Sequence, residues 1–313
     1  MAENIIIDQL NSKKEELEER LGSLYHGGSN RRETLEYKIK KIEELIEIYQ
    51  LSPSNNLNLL EVKEILDQQI GFEEQKRIIL ESLETTETER FREQYNILPK
   101  PPLILCLAGP SGIGKTSFAK ILAQALKREF FSISLAGLSD TSILSGTSEN
   151  SSGTDIGQLT RALIETKTPN PVILLDEVDK VGSSLRNTSA IHNYLVNILD
   201  STQSQEVVDY YLDVKLDLSQ IVFVTTTNDF QKISQPLCDR MQIFELPSYT
   251  IEQKKKIARK IIQRQFASNE ELRDKLKITS EALEILIGKT HEEGVRQLKR
   301  ALESKIFNYC LQK

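Results

Sequence analysis

Cysteine and histidine are scarce in this chain, three of each among 313 residues, and neither type is grouped. Cys106, Cys238 and Cys310 are odd in number and far apart, which argues against a disulfide framework or a zinc site and fits a reducing cytosol. His26, His192 and His291 stand alone, without ligand spacing. No apolar run approaches the ~20 residues that a membrane span needs. The opening stretch, MAENIIIDQLNSKKEE, turns acidic within a few positions and has no long apolar core, so neither a signal peptide nor a transit peptide is expected. An excess of positive charge is missing too. With 40 Lys and Arg against 46 Asp and Glu the formal charge is −6, which offers no global attraction to nucleic acid or anionic lipid. The basic run KKKIARKIIQR at 254–264 is spaced like a solvated helix face. A cytoplasmic protein is expected, with neither membrane nor nucleic acid among its partners.

What is present is 39% hydrophobic and 27% charged, a soluble composition, in a length that suggests two or three domains. Residues 1–56 read as a helical hairpin and linker: charged helical segments at 11–24 and 31–50 flank the turn signal YHGGSN. Leu35, Ile39, Ile42, Ile46 and Tyr49 recur at spacings of 4, 3, 4 and 3, a seam that packing within the chain or self-association would fill. Two helical stretches follow, until the proline cluster NILPKPP ends them. From 103 short apolar runs (LILCLAG, FFSISL, PVILLDEVD, IVFVTTTN) alternate with amphipathic helices, which predicts an α/β domain over 57–248 whose parallel sheet is covered on both faces. EVVDYYLDVKLDLS alternates like a small inserted hairpin. Residues 249–313 read as a small helical domain.

GPSGIGKT fits G-x-x-x-x-G-K-[ST] and lies between a strand and a helix, the context that the motif requires. Gly109, Pro110, Ser111, Gly112, Ile113, Gly114, Lys115, Thr116 and Ser117 are therefore the expected nucleotide-binding residues. Backbone N–H groups would converge on phosphate oxygens at a helix N-terminus, Lys115 would reach the β and γ phosphates, and Thr116 would ligate Mg²⁺. About sixty residues on, VILLDEVDK ends a buried strand in two carboxylates: Asp176 for Mg²⁺ and Glu177 to polarise the attacking water. Asn228 closes a third strand as an amide placed for the γ-phosphate or the lytic water. Arg240 in PLCDRM and Arg296 in EEGVRQLKR could each be an ordinary surface arginine by position alone.

In this order the residues resemble the AAA+ ring ATPases, and more narrowly the ATPase module of Lon proteases, over roughly 57–313. NLLEVKEILDQQIGFEEQKRIILESL, NPVILLDEVDKVGSS, YYLDVKLDLSQIVFVTTTND, PLCDRMQIFELPSYT and EEGVRQLKRALESK carry the resemblance. It implies a P-loop sheet flanked by helices, ATP and Mg²⁺ as cofactors, and adenine bordered by Ile70 and Gly71. It also implies Asn228 as sensor 1, Arg296 as sensor 2, and Arg240 as a finger reaching the neighbouring subunit of a hexameric ring. A Lon protease would continue into a peptidase domain beyond Lys313, where this sequence stops.

Counted without gaps from GQLTRAL, the family's pore loop falls on 147–157 and its aromatic-aliphatic gripping pair on Ser151 and Ser152. Two serines offer little apolar area for holding a polypeptide. Three functions stay open on these grounds. One is a ring ATPase that remodels a protein client without cutting it, another the ATPase part of a Lon-type protease, and the third a nucleotide-gated scaffold.

Overall fold

The computed structural model describes residues 2–24, 29–51, 58–84, 103–138, 140–148, 155–181, 188–265, 279–290 and 292–311. The linkers at 52–57 and 96–102 and the Ser151–Ser152 pair lie outside them. The described strands are β1 (Ile104–Ala108), β2 (Phe130–Ser134), β3 (Val172–Asp176), β4 (Val207–Asp209), β5 (Val214–Leu216), β6 (Val222–Thr227) and β7 (Gln242–Glu245). Five of them make one parallel sheet in the order β2-β3-β6-β1-β7, and β4 with β5 forms the inserted antiparallel hairpin.

The helices are α1 (Ala2–Gly22), α2 (Ser29–Tyr49), α3 (Leu59–Leu66), α4 (Glu73–Glu84), α5 (Lys115–Ala125), the single turn α6 (Ser142–Ser145) and α7 (Gln158–Thr166). After them come α8 (Thr188–Ile198), α9 (Gln235–Cys238), α10 (Ile251–Gln265), α11 (Ser280–Lys289) and α12 (Arg296–Leu311).

Strand residues point alternately to the two faces, and both faces are covered, which is why β1, β3 and β6 carry almost no charge before their last residue. Leu105, Leu107, Val172, Leu174 and Val224 pack with Val62, Leu66, Ile79, Phe118 and Leu122 from α3, α4 and α5. Ile104, Cys106, Ile173, Leu175 and Phe223 face the other way, into a core completed by α1, α2, α7, α8 and the hairpin. A third cluster, Ala258, Leu283, Ile287, Leu298 and Leu302, joins α10, α11 and α12.

The α2 seam is filled within the chain. Leu35 and Ile42 are buried in the same core as Ile6, Leu10 and Leu17 of α1, and Ile39, Ile46 and Tyr49 pack against it half-buried. The Tyr49 hydroxyl adds a bond to the Asp217 carbonyl at 3.0 Å, just beyond β5. No helix among the described residues is long and apolar enough to cross a membrane.

Candidate functional site

β1, β3 and β6 are neighbours at the middle of the sheet, and the chain crosses from β1 to the far edge strand β2. Open α/β sheets bind ligands at the carboxyl ends of strands beside such a crossover. There the chain leaves β1 and turns through Gly109–Gly114 into α5. Gly112 (φ 80°) and Gly114 (φ 96°) take left-handed backbone. A Cβ on Gly112 would lie 3.0 Å from Cβ of Arg296, and one on Gly114 would lie 3.3 Å from the Tyr249 hydroxyl. Ile113 is fully buried and anchors the loop from below. Its carbonyl accepts from the Tyr249 hydroxyl at 2.7 Å, and that hydroxyl accepts from Gln69 Nε2 at 2.9 Å. Ser111 and Ser117 are exposed, while Pro110 and Thr116 are half-buried.

Lys115 opens α5 and turns its ammonium over the loop. It donates to the carbonyls of Gly109 (2.5 Å) and Pro110 (3.0 Å) and to Asn228 Oδ1 (2.9 Å). Burial lowers its pKa; the carboxylates of Asp179, Asp176 and Glu177 oppose that shift, and Arg296 adds to it. Asp179 keeps one buried oxygen with no hydrogen-bond partner among the described residues.

The acidic pair is fixed by a residue that sequence reasoning missed. Thr226, fully buried in β6, donates its hydroxyl to Asp176 Oδ1 and accepts from the Glu177 N–H at 2.9 Å. Glu177 stands at φ 62°, unusual for a residue with a Cβ and characteristic of functional positions. Its carboxylate accepts from Lys180 Nζ at 2.5 Å. A threonine in the middle of a buried apolar strand was the available signal, but TTT offers three such positions.

This donor set fits a magnesium triphosphate. Glycines let the loop turn tightly against Arg296 and Tyr249, the helix N-terminus and Lys115 would supply positive charge, and Thr116 with Asp176 could supply hard oxygen ligands. Among the described residues no group of three or more His, Cys, Asp or Glu side chains is arranged to hold a metal ion by itself. Mg²⁺ needs no such cluster, since it takes one or two carboxylates and completes its shell with phosphate and water.

The other expected residues divide into two sets. Asn228 and Arg296 join the loop: Val295, beside Arg296, donates its N–H to the Gly112 carbonyl at 2.9 Å. A cleft of about 1120 Å³ extends from Gly109, Pro110 and Asn228 to Phe72, Leu246 and Gln253. Ile70 is half-buried and Gly71 sits behind Gln253 and the Tyr249 ring, so the wall on that side is the next residue, Phe72. Arg240 bonds elsewhere, to Asp200 Oδ2 at 3.1 Å and the Pro236 carbonyl at 3.0 Å.

The base of the 145–157 loop is clamped by Asp209 of the hairpin, which the sequence did not single out. Its buried carboxylate accepts from the Gly157 N–H at 2.9 Å, the Thr160 hydroxyl, and the N–H groups of Tyr211 and Leu212, each at 3.0 Å.

Residues 105–249 match the model of the ATPase family associated with various cellular activities (AAA). The chain is 44% identical over 201 residues to the Lon protease of Campylobacter concisus, which covers 64% of this chain and 25% of that protein. Identity is 42% to the mitochondrial Lon protease homolog of Schizosaccharomyces pombe, covering 65% of this chain and 19% of that one. Against Lon protease 2 of Thermus thermophilus it is 39%, covering 79% and 32% respectively. The chain thus spans between 19% and 32% of the length of these relatives. Among solved structures, a closed-state reconstruction of Hsp104 with ATPγS and FITC casein shares the fold, with a TM-score of 0.60 and 20% identity over 87% of this chain and 51% of that one.

Proposed function

We propose that this chain, whose AAA match and likeness to Lon proteases point to an ATPase module of the Lon type, hydrolyses ATP in a hexameric ring of like subunits to remodel a protein client in the cytoplasm without cutting it. The observation that carries the reading is the convergence of Lys115, Asn228, Asp176 and Glu177 at neighbouring strand ends, with Thr226 fixing the acidic pair. In this reading the loop 109–114 and the first turn of α5 cradle the phosphates, and Lys115 releases its loop carbonyls to meet them. Thr116 and Asp176 hold Mg²⁺, which when bound draws charge from the β and γ phosphates. Glu177 orients the attacking water and Asn228 its target, while Arg296 ties the α10–α12 cluster to the phosphate loop. Phe72 and its neighbours Ile70 and Gly71 form the adenine end. Arg240 acts on the adjoining subunit's γ-phosphate, a contribution worth about 10³ to 10⁵ in rate in comparable enzymes.

A second reading, the ATPase part of a Lon-type protease, is favoured by the relatives being Lon proteases several times the length of this chain. One steady-state assay addresses both. ATP turnover is measured with and without casein for wild type, Glu177→Gln and Arg240→Ala. We expect turnover in the wild type and loss in both variants, with ATP still bound by calorimetry. ATP turnover stimulated by casein would favour the protease reading, and turnover indifferent to casein the first. Turnover in Arg240→Ala at the wild-type rate would remove the finger from the proposal.

A further inference from the structure

We infer that Asp200 is a positioning residue for Arg240, aiming its guanidinium out of its own protomer toward the neighbouring nucleotide. The inference rests on the reading of Arg240 as a finger acting in trans. Asp200 lies just past α8, and Arg240 lies between α9 and β7. The Asp200 carboxylate is oriented before Arg240 is counted. Oδ1 accepts from the Thr202 N–H at 3.0 Å, the Thr202 hydroxyl at 2.6 Å and the Gln203 N–H at 3.4 Å, which leaves Oδ2 facing Arg240 Nη2 at 3.1 Å. Those same bonds, Thr202's hydroxyl first, hold the carboxylate ionised, with its pKa brought down to about 2.

Among the described residues Arg240 has one other hydrogen bond, from Nη1 to the Pro236 carbonyl, within its own turn. Its Nε is buried without a hydrogen-bond partner among the described residues. Asp200 is thus the contact across elements that sets where the guanidinium sits. The side chain stays 28% exposed, and each Nη retains an N–H beyond the bond it makes here. A half-exposed ion pair adds little to stability, so an acid aligned by three further bonds is better suited to direction than to strength.

The test mixes protomers. Arg240→Ala and Glu177→Gln are defective on opposite sides of a shared site, so a mixed ring regains sites where an intact Glu177 meets an intact Arg240. Asp200→Asn keeps an oxygen for the Thr202 turn and presents an NH₂ to Arg240, which cannot accept. We expect Asp200→Asn alone to lower kcat about 10- to 100-fold, the scale of a misplaced catalytic group, with ATP binding by calorimetry unchanged. Mixed with Glu177→Gln it regains turnover, as Arg240→Ala does. Thr202→Val, which removes the hydroxyl that orients Asp200, shifts kcat in the same direction and serves if Asp200→Asn fails to fold or assemble. Wild-type kcat in both Asp200→Asn and Thr202→Val overturns the inference. So does a loss that mixing with Glu177→Gln does not repair while Arg240→Ala is repaired. Failure of Arg240→Ala itself to be repaired overturns the trans reading instead, and this inference with it.

Discussion

The Thr226 hydroxyl bonds both members of the acidic pair, the Asp176 side chain and the Glu177 backbone. Thr226→Val keeps the shape and removes the hydroxyl, leaving the partly buried Glu177 N–H and an Asp176 carboxylate oxygen without that partner. The expected cost is about 1–3 kcal/mol of unfolding stability, with ATP turnover reduced about 10- to 100-fold as Glu177 loses its fixed position. Thr226→Ser restores most of both, measured by denaturant melts and steady-state turnover. Lys115 gives the opposite sign for stability. Because burial lowers its pKa from 10.5, the folded chain binds that proton more weakly than the unfolded chain. The penalty is full below the folded pKa and fades as pH rises toward 10.5. Lys115→Met is therefore expected to abolish ATP binding, yet to melt no lower than wild type at pH 7 without nucleotide. Its advantage should shrink in melts taken at increasing pH. A variant that melts well below wild type at pH 7 would mean that the three bonds of the ammonium outweigh its desolvation.

Among the elements, α2 holds the base of the 145–157 loop. Tyr37 donates its hydroxyl to Asp155 Oδ1 at 3.2 Å, Arg161 pairs with the other oxygen at 2.6 Å, and the Tyr37 ring meets Tyr211 edge-on at 6.2 Å. Burial, and then Asp155, raise the Tyr37 pKa to about 12, so the phenol stays a donor at neutral pH. Tyr37→Phe should loosen the loop base while leaving ATP binding intact. Hydrogen exchange at the Thr147, Ile156 and Gly157 amides should quicken, by up to about tenfold for the loss of one such bond. Unchanged exchange would leave α2 as packing alone. The strand-helix alternation was legible in the sequence because a doubly covered sheet demands continuous apolar strands, and the phosphate loop because its contacts are local. The α2 seam was half legible, since periodicity identifies a buried face without identifying what buries it. Thr226, Asp209 and Asp200 were not legible, because the bonds that give them meaning reach 50, 52 and 40 residues along the chain.

At the scale of the whole molecule, the phosphate loop is held against the α10–α12 cluster by backbone as much as by side chains. A Cβ on Gly294 would lie 2.3 Å from the Gly112 carbonyl carbon, so only glycine permits this approach. Beside it, Val295 donates to the Gly112 carbonyl at 2.9 Å, and Lys254 of α10 donates to the Glu292 carbonyl at 2.6 Å. Glu292 in turn accepts from the N–H groups of Gln297 and Leu298 in the first turn of α12. Any movement of that cluster therefore pulls on the loop that would cradle the phosphates, and occupancy of the loop would in turn bias the cluster. Gly294→Ala tests the coupling, because the methyl group forces the two apart without touching Lys115, Asp176 or Glu177. We expect ATP affinity by calorimetry to fall about tenfold or more, roughly 1.4 kcal/mol, with the sheet core still folding cooperatively. If melting falls while affinity holds, the glycine contact serves packing only.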